Sequence, residues 1–488
     1  MDKRILKNVA VNFVGLILPT FVSLVTVPAY IHALGVDRYG VVSLVWTLIG
    51  YFGILDLGMS MAAQNQISKA LASGDPEQCE RVFWSACWLN LATGIAGGLL
   101  IYFGAFIYTS YFTKVSAELQ HEVYHALPWL ACAIPIANVS WVFSGAINGA
   151  ERFGIYNANQ TFGTFLFQLL PLFAAWLIAP TLPAVLAAAV LARLIAAILL
   201  GRASLRVLNI RHVAPPSWRT AKELFTFGGW MLIASTASMV ADSLDRVILG
   251  AHLGARYVTY YTVPQNLVTR LNMLPNAVVR TLFPRLSAVD RDHADNLVRQ
   301  SLEFLNGVFT PVAIVAIFAL QPFLELWVGH DLATQSSPVG RVLVIGIWLV
   351  GQAGVMRILI QSQVNPARAA LAGLIELPFF IGGLWFGITH FGLIGAAVVV
   401  VARALVDYGV LLVLASVKRR PIVVDMAAHL AFLFASLALA WTMPTLVQAV
   451  ALCALVAALN IAWSFMMTPG LRALARGVLG RLIPGKSV

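Results

Sequence analysis

Eleven ionisable side chains stand inside stretches that are otherwise apolar: Arg193, Arg246, Arg270, Arg280, Arg357 and Arg403, with Asp56, Asp242, Asp245, Glu376 and Asp407. Charge in such surroundings is costly and usually faces a bundle interior or a water-filled cavity. Two couples at i, i+4 spacing could neutralise themselves, Asp242 with Arg246 and Arg403 with Asp407. Asp245 and Arg246 also lie near a helix end, where they can snorkel outward. Arg270 and Arg280 have no acid within one turn. With Asn266, Thr269, Met273 and Asn276 they recur at helical spacing and form one polar stripe. A milder stripe of Asn12, Pro19, Ser23, Thr26 and Tyr30 runs near the N-terminus, and Arg357 is followed one turn on by Gln361. Facing one another, these would line a polar cleft. A guanidinium offers two parallel hydrogen bonds in a planar fork, which suits phosphate. Arg246, Arg270, Arg280 and Arg357 are therefore candidates to bind an anionic headgroup, with Asn12, Ser23, Asn266 and Asn276 along the cleft; pairing with acids on other helices is the alternative. Six arginines against five acids provide positions for an anion, not a uniformly basic channel.

The elements that must hold these residues are membrane helices. Of 488 residues 60% are apolar and 11% charged, against roughly 45–50% and about 25% in a soluble domain. A mean hydropathy of +0.83 excludes a soluble enzyme, a disordered chain and a disulfide scaffold, because too little polar surface remains to cover a water-facing globule. A spanning helix needs about 20 apolar residues. Fourteen such runs occur, at 8–31, 40–62, 82–109, 124–148, 158–178, 182–203, 223–249, 256–286, 301–328, 338–364, 369–390, 392–416, 424–445 and 446–467. The first is too long, and lacks the small-residue site, for a cleavable signal. Pro264, Pro275 and Pro284 interrupt the eighth run and release backbone carbonyls that a cavity or a neighbour must satisfy.

With the N-terminus in the cytoplasm and run edges taken to within a few residues, 22 of the 32 Lys and Arg fall on the cytoplasmic side, four on the other (Arg38, Lys114, Arg256 and Arg341) and six within spans. That asymmetry satisfies the positive-inside rule and places both termini in the cytoplasm. The basic segments, 202–222, 418–420 and the tail, then meet anionic headgroups, so membrane lipids are the expected partners and nucleic acid is not. Connections are about twenty residues or shorter, which leaves no room for a nucleotide-binding domain or a catalytic ectodomain. Residues 480–487 spell G-R-L-I-P-G-K-S, a formal phosphate-loop pattern. That loop works only between a strand and a helix, so no ATP binding is expected. Cys87, Cys132 and Cys453 lie in apolar runs and Cys79 in a polar loop; their spacing suits neither a metal nor a staple, and they read as free thiols.

Residues 31–51 and 250–267 are alike: Leu-Gly, a short polar turn and Arg-Tyr between two spans. Each pair of spans begins on the cytoplasmic side, so the repeat is parallel, as in secondary transporters. The expected fold is all-α integral membrane, with a six-helix half (1–203), a basic linker (204–222), a second six-helix half (223–416), and two further helices with a basic tail (417–488).

The start of the chain, from Leu6 to Ala62, resembles bacterial polysaccharide flippases, the Wzx-type exporters of O-antigen and exopolysaccharide. So do Gly53-Ile-Leu-Asp56-Leu-Gly58, the stretch ELFTFGGW…SLDRVILGAHLGARYVTYY and LFPRLS at 282–287. Their superfamily also holds multidrug exporters and peptidoglycan-precursor flippases. The resemblance implies an isoprenoid-pyrophosphate-linked oligosaccharide, turned from the cytoplasmic to the periplasmic leaflet of the inner membrane by two rocking halves. It implies no enzyme activity and no cofactor, with a polysaccharide polymerase and other biosynthesis proteins as candidate partners. Asp56 and the Asp245–Arg246 couple match family motifs. Asp56, Asp245 and Glu376 are candidates for proton or Na+ coupling, with structural capping as the alternative. Two other readings stay open: a cation-coupled drug exporter or peptidoglycan-precursor flippase, and a membrane-embedded glycan polymerase or ligase.

Overall fold

The computed structural model describes residues 22, 24–51, 59–112, 116–218, 220, 222, 243–287, 290–363, 366–415, 419–442, 445–467 and 472. Among these the regular structure is entirely helical. In hydrocarbon every backbone N–H and C=O needs an internal partner, and a helix supplies it from within one segment. Nine described helical segments are long and apolar enough to span a bilayer, so the chain is a multi-pass membrane protein. It divides into two compact units, Met1–Thr259 and Tyr260–Val488.

Nine candidate spans stand where the sequence reading has fourteen, and the differences have local causes. The eleventh and twelfth runs are one helical segment, Leu371–Ala415, which turns at Gly392 with φ 58° and ψ −136°. A Cβ on Gly395 would strike the carbonyl of Gly387, and one on Gly383 would lie 3.2 Å from Val399. Contacts paired symmetrically about residue 391 require the chain to fold back on itself. This segment is a hairpin of two helices, with the break where the sequence reading puts it. The eighth run is described but not continuous. It forms helices Ala255–Val268 and Met273–Ser287 joined by a 3₁₀ turn, Thr269–Asn272. The first and seventh runs lie mostly outside the described residues, as do residues 52–58 of the second.

In the first unit the helices are α1 (Leu24–Leu34), α2 (Val36–Tyr51), α3 (Met59–Ser73), α4 (Pro76–Ile107), α5 (Ala117–Gly149), α6 (Phe153–Leu177), α7 (Leu182–Val207) and α8 (Leu244–His252). Helix α5 packs against α3, α4 and α7, and α6 against α7. Asp75 and Ser116 cap α4 and α5 by accepting from the N–H groups of Gln78 and Leu119. Cys79 lies in α4 rather than in a loop and is buried beside Ile67, Phe83 and Ala146. Arg38 bridges Glu118 at 3.0 Å and Glu122 at 2.6 Å, and Glu122 also accepts from the Leu182 N–H at 3.0 Å. One carboxylate thus fastens α2, α5 and α7 together. The two similar stretches meet here. Each turns at a glycine with positive φ, Gly35 at 78° and Gly254 at 105°. They are joined by Arg256–Asp37 at 3.0 Å and by the Thr259 hydroxyl donating to the Val36 carbonyl at 2.7 Å. Gly40 approaches the Ala255 carbonyl too closely for any side chain.

The second unit holds α9 (Ala255–Val268, which starts in the first), α10 (Met273–Ser287), α11 (Arg291–Val328), α12 (His330–Gln363), α13 (Pro366–Ala415), α14 (Arg419–Trp441) and α15 (Leu446–Met467). Helix α12 is the buried centre, packed by α10, α11 and α13. Its Trp348 is fully buried and donates to the Thr310 hydroxyl at 3.0 Å. Arg341 belongs to this helix, not to the loop in which the charge count places it, and is buried. It donates to the carbonyls of Ile317 (3.2 Å) and Ala440 (3.0 Å) and to Gln321 (3.1 Å). A polar chain fixes α14 and α15. Asn306 donates to Asp425 at 2.7 Å, Asp425 lies 3.6 Å from His429, and His429 contacts Asn460 at 3.0 Å.

The hairpin contact gives a test. Gly395→Leu forces the α13 arms apart at backbone level, where no side chain can yield. Overpacking of this kind typically costs about 1–3 kcal/mol. The variant is expected at the upper end, measured as a lower unfolding temperature of the purified protein in detergent; an unchanged temperature would contradict the hairpin.

Candidate functional site

Four charges gather in the second unit. Arg357 of α12 reaches across to Asp407 of α13, with Nη2 to Oδ2 at 2.8 Å. The sequence reading gives Asp407 to Arg403, one turn earlier on the same helix. Instead Arg403 places its guanidinium over the Phe380 ring, 4.5 Å from the centroid. A cation against a ring face is attracted by the quadrupole without a counter-ion, and this frees Asp407 for Arg357. Arg357 is therefore an ion-paired guanidinium and not one of several unpaired ones. Its side chain keeps 37% of its exposure, against 15% for Asp407, so one edge stays open to a ligand.

Glu376 sits in the same cluster. It is buried, at 8% exposure. Neither carboxylate oxygen has a hydrogen-bond partner among the described residues. Asp407, Arg403 and Arg357 all act on it electrostatically. A buried carboxylate without donors leaves both oxygens available to a proton or a cation. That keeps Glu376 a coupling candidate.

Asp245 and Arg246 stand at the start of α8. Asp245 is buried in the first turn and accepts the Arg246 backbone N–H at 2.8 Å. An acid there meets the positive end of the helix dipole, a favourable electrostatic contact. Asn12, Ser23, Asp56 and Asp242 lie outside the described residues.

The polar stripe of the eighth run survives in part. Asn266, Arg270 and Asn276 are exposed, as is Met273. Arg270 belongs to the 3₁₀ turn Thr269–Asn272 between Pro264 and Pro275, where each proline lacks the N–H that would continue an α-helix. The Thr269 hydroxyl donates to the Asn266 carbonyl at 3.1 Å, one turn back along the same segment. Arg280 lies in α10, and its side chain is outside the description.

The residue that sequence reasoning passes over is Arg193, in the middle of α7. It too has no acid within one turn, the criterion that singles out Arg270 and Arg280, but no polar stripe accompanies it on its own helix. Its polar neighbours come from α5 and α6, and sequence spacing on one helix cannot show them.

The pair across α12 and α13 can be tested. Arg357→Met leaves Asp407 uncompensated. Breaking a buried pair costs about 3–5 kcal/mol; the open edge of Arg357 should reduce this to about 1–3 kcal/mol. The double change Arg357→Met with Asp407→Leu should recover most of the loss. A double-mutant cycle on thermal unfolding checks this, and additive losses would contradict the pairing.

Comparisons with known proteins agree with this architecture. A family model described as "Polysaccharide biosynthesis protein" matches residues 5–290. A "Putative O-antigen transporter" of Shigella flexneri is 27% identical over 407 residues, covering 83% of this chain and 96% of that protein. Among solved structures, the lipid II flippase MurJ in an inward closed conformation superposes with a TM-score of 0.72 at 13% identity, covering 92% of this chain and 98% of MurJ. An inward-facing multidrug resistance MATE family transporter of the MOP superfamily gives 0.67 at 14% identity, covering 87% and 98%. At such identities these structures establish the fold alone.

Proposed function

The chain belongs to the polysaccharide biosynthesis protein family, and from that premise we propose that it is a flippase for an isoprenoid-pyrophosphate-linked oligosaccharide. In this reading it turns the substrate from the cytoplasmic to the periplasmic leaflet of the bacterial inner membrane, with both termini in the cytoplasm. The observation that carries the reading is the similarity to the O-antigen transporter, which extends over 96% of that relative's length and is not confined to one motif. Partners of the pathway, such as a polysaccharide polymerase, enter with the same reading.

The chemistry of the interior is compatible with it. Arg270 stands exposed on a proline-flanked turn, Arg357 keeps an open edge beside its acid, and Arg246 and Arg280 complete the set of candidate anion contacts. In this scheme such arginines meet the pyrophosphate and sugars while the lipid tail stays in the bilayer. Glu376 takes up the coupling proton or Na+, in keeping with its unpartnered oxygens. Moving one charge across the membrane potential is worth about 2.3 kcal/mol per 100 mV, enough for such coupling to bias the cycle. The chain itself supplies no ATP hydrolysis in this scheme.

Lipid extraction from cells lacking the gene is the direct test. Accumulated lipid-linked oligosaccharide with loss of surface polymer is the expected result. Normal surface polymer with sensitivity to cationic dyes would instead mark a drug exporter, and a truncated or unattached glycan an enzyme. Within the same strain, Arg270→Ala at wild-type abundance should abolish surface polymer, and normal polymer would remove Arg270 from the site.

A further inference from the structure

A cavity of about 200 Å³ opens in the first unit between α5, α6 and α7. Arg193 lies at its wall with its guanidinium 4.8 Å from the centroid of the Phe167 ring. Its Nε is buried without a hydrogen-bond partner, and no described carboxylate comes within ion-pairing distance. Arg193 is thus a cation held by a ring face alone, an arrangement that leaves most of its donors unused. Gln160, Ser144, Trp141 and Asn159 line the same space. The Asn159 amide already donates to the Ile155 carbonyl at 2.8 Å, so its oxygen remains to accept. Gln160, Ser144 and the Trp141 indole bring further donors, and Trp141 is 45% exposed.

Donors converging around a guanidinium, with an indole at the wall, suit a sugar ring that carries a negative charge. The volume is below the ~300–1,000 Å³ of pockets that hold drug-sized ligands, so it takes one ring and not a long glycan. Its walls lie toward the ends of α5 and α7 and the start of α6, the end of the unit that also exposes Arg152, Arg202, Arg206 and Arg211. An anion arriving at that face meets favourable potential before it reaches Arg193.

We propose that the Arg193 cavity binds one anionic hexose unit of the transported glycolipid. The inference rests on the flippase reading and narrows its substrate. The charge has two sources, the phosphate next to the first sugar or a carboxylate on an acidic sugar further along. Saturation-transfer NMR on the purified full-length protein, with glucose 1-phosphate, glucuronate and glucose as probes, separates them. At least one anionic probe should bind about tenfold or more tightly than glucose, and Arg193→Gln should remove that margin, as expected for loss of one charge-assisted contact. Preference for glucose 1-phosphate assigns the phosphate-proximal sugar, and preference for glucuronate an acidic sugar. If Arg193→Gln does not fold, Gln160→Leu leaves the Arg193–Phe167 stack in place and should weaken the anionic probe by severalfold with unchanged thermal stability. Equal binding of charged and neutral probes, or anionic binding unaffected in a folded variant, overturns the proposal. Normal lipid-linked pools in cells lacking the gene would sink the flippase reading while leaving probe binding untouched, so the two failures are distinguishable.

Discussion

A charge carried into an apolar helix bundle must be met by an opposite charge, a dipole or a ring, and the choice differs from one arginine to the next. Arg341 is met by carbonyls and an amide, Ile317, Ala440 and Gln321, which tie α11, α12 and α14. Arg38 is met by two carboxylates that join α2 to α5, with α7 drawn in through Glu122. In both cases the donors are used in several directions at once, and the residue acts as a fastening between helices. Arg357 has one carboxylate and an open edge. Arg403 and Arg193 have a ring face where Arg357 has a hydrogen-bonded carboxylate. The less complete the compensation, the more a site can gain from an incoming anion, since the cost of desolvating the cation is already met by folding. Ordered this way, the arginines separate into those that hold helices together and those with binding capacity left over.

The same ordering explains what the sequence makes legible. Composition and run length suffice for a membrane-spanning, all-helical chain, because hydrocarbon leaves the backbone few other solutions. The break at residues 390–392 is visible because a polar and glycine-rich interruption is what a tight hairpin needs, and Gly392 and Gly395 meet that need. The likeness of residues 31–51 to 250–267 is likewise visible, and the structure adds that the two stretches touch through Asp37 and Arg256. Partners on other helices are not legible. Asp407 has Arg403 one turn away and yet pairs with Arg357, because Phe380 offers Arg403 a face that neither spacing nor charge counting reveals. The Asn306–Asp425–His429–Asn460 chain crosses three helices and leaves no periodic trace on any of them. Arg193 belongs to this class too, as a lone arginine whose polar surroundings are assembled by packing.

Proline placement bears on how an anion and a helix bend can be linked. The eighth run is long enough for one helix, yet Pro264 and Pro275 remove two N–H donors, and between them the chain tightens into the 3₁₀ turn Thr269–Asn272. Its hydrogen bonds are poorer than those of an α-helix, so this is the least costly place along the run to bend. Arg270 stands on that turn and Asn266 and Asn276 flank it, all three exposed. A bend there would change where the Arg270 side chain stands relative to α9 and α10. A ligand that prefers one position of Arg270 must then prefer one bend by the same free energy, since binding and conformation share a single cycle. Coupling of this kind would need no long pathway, because the side chain and the bend share one turn. Arg357, by contrast, stands on an unbroken stretch of α12 and is braced against α13 by Asp407, so a bend at the 3₁₀ turn leaves that pair in place.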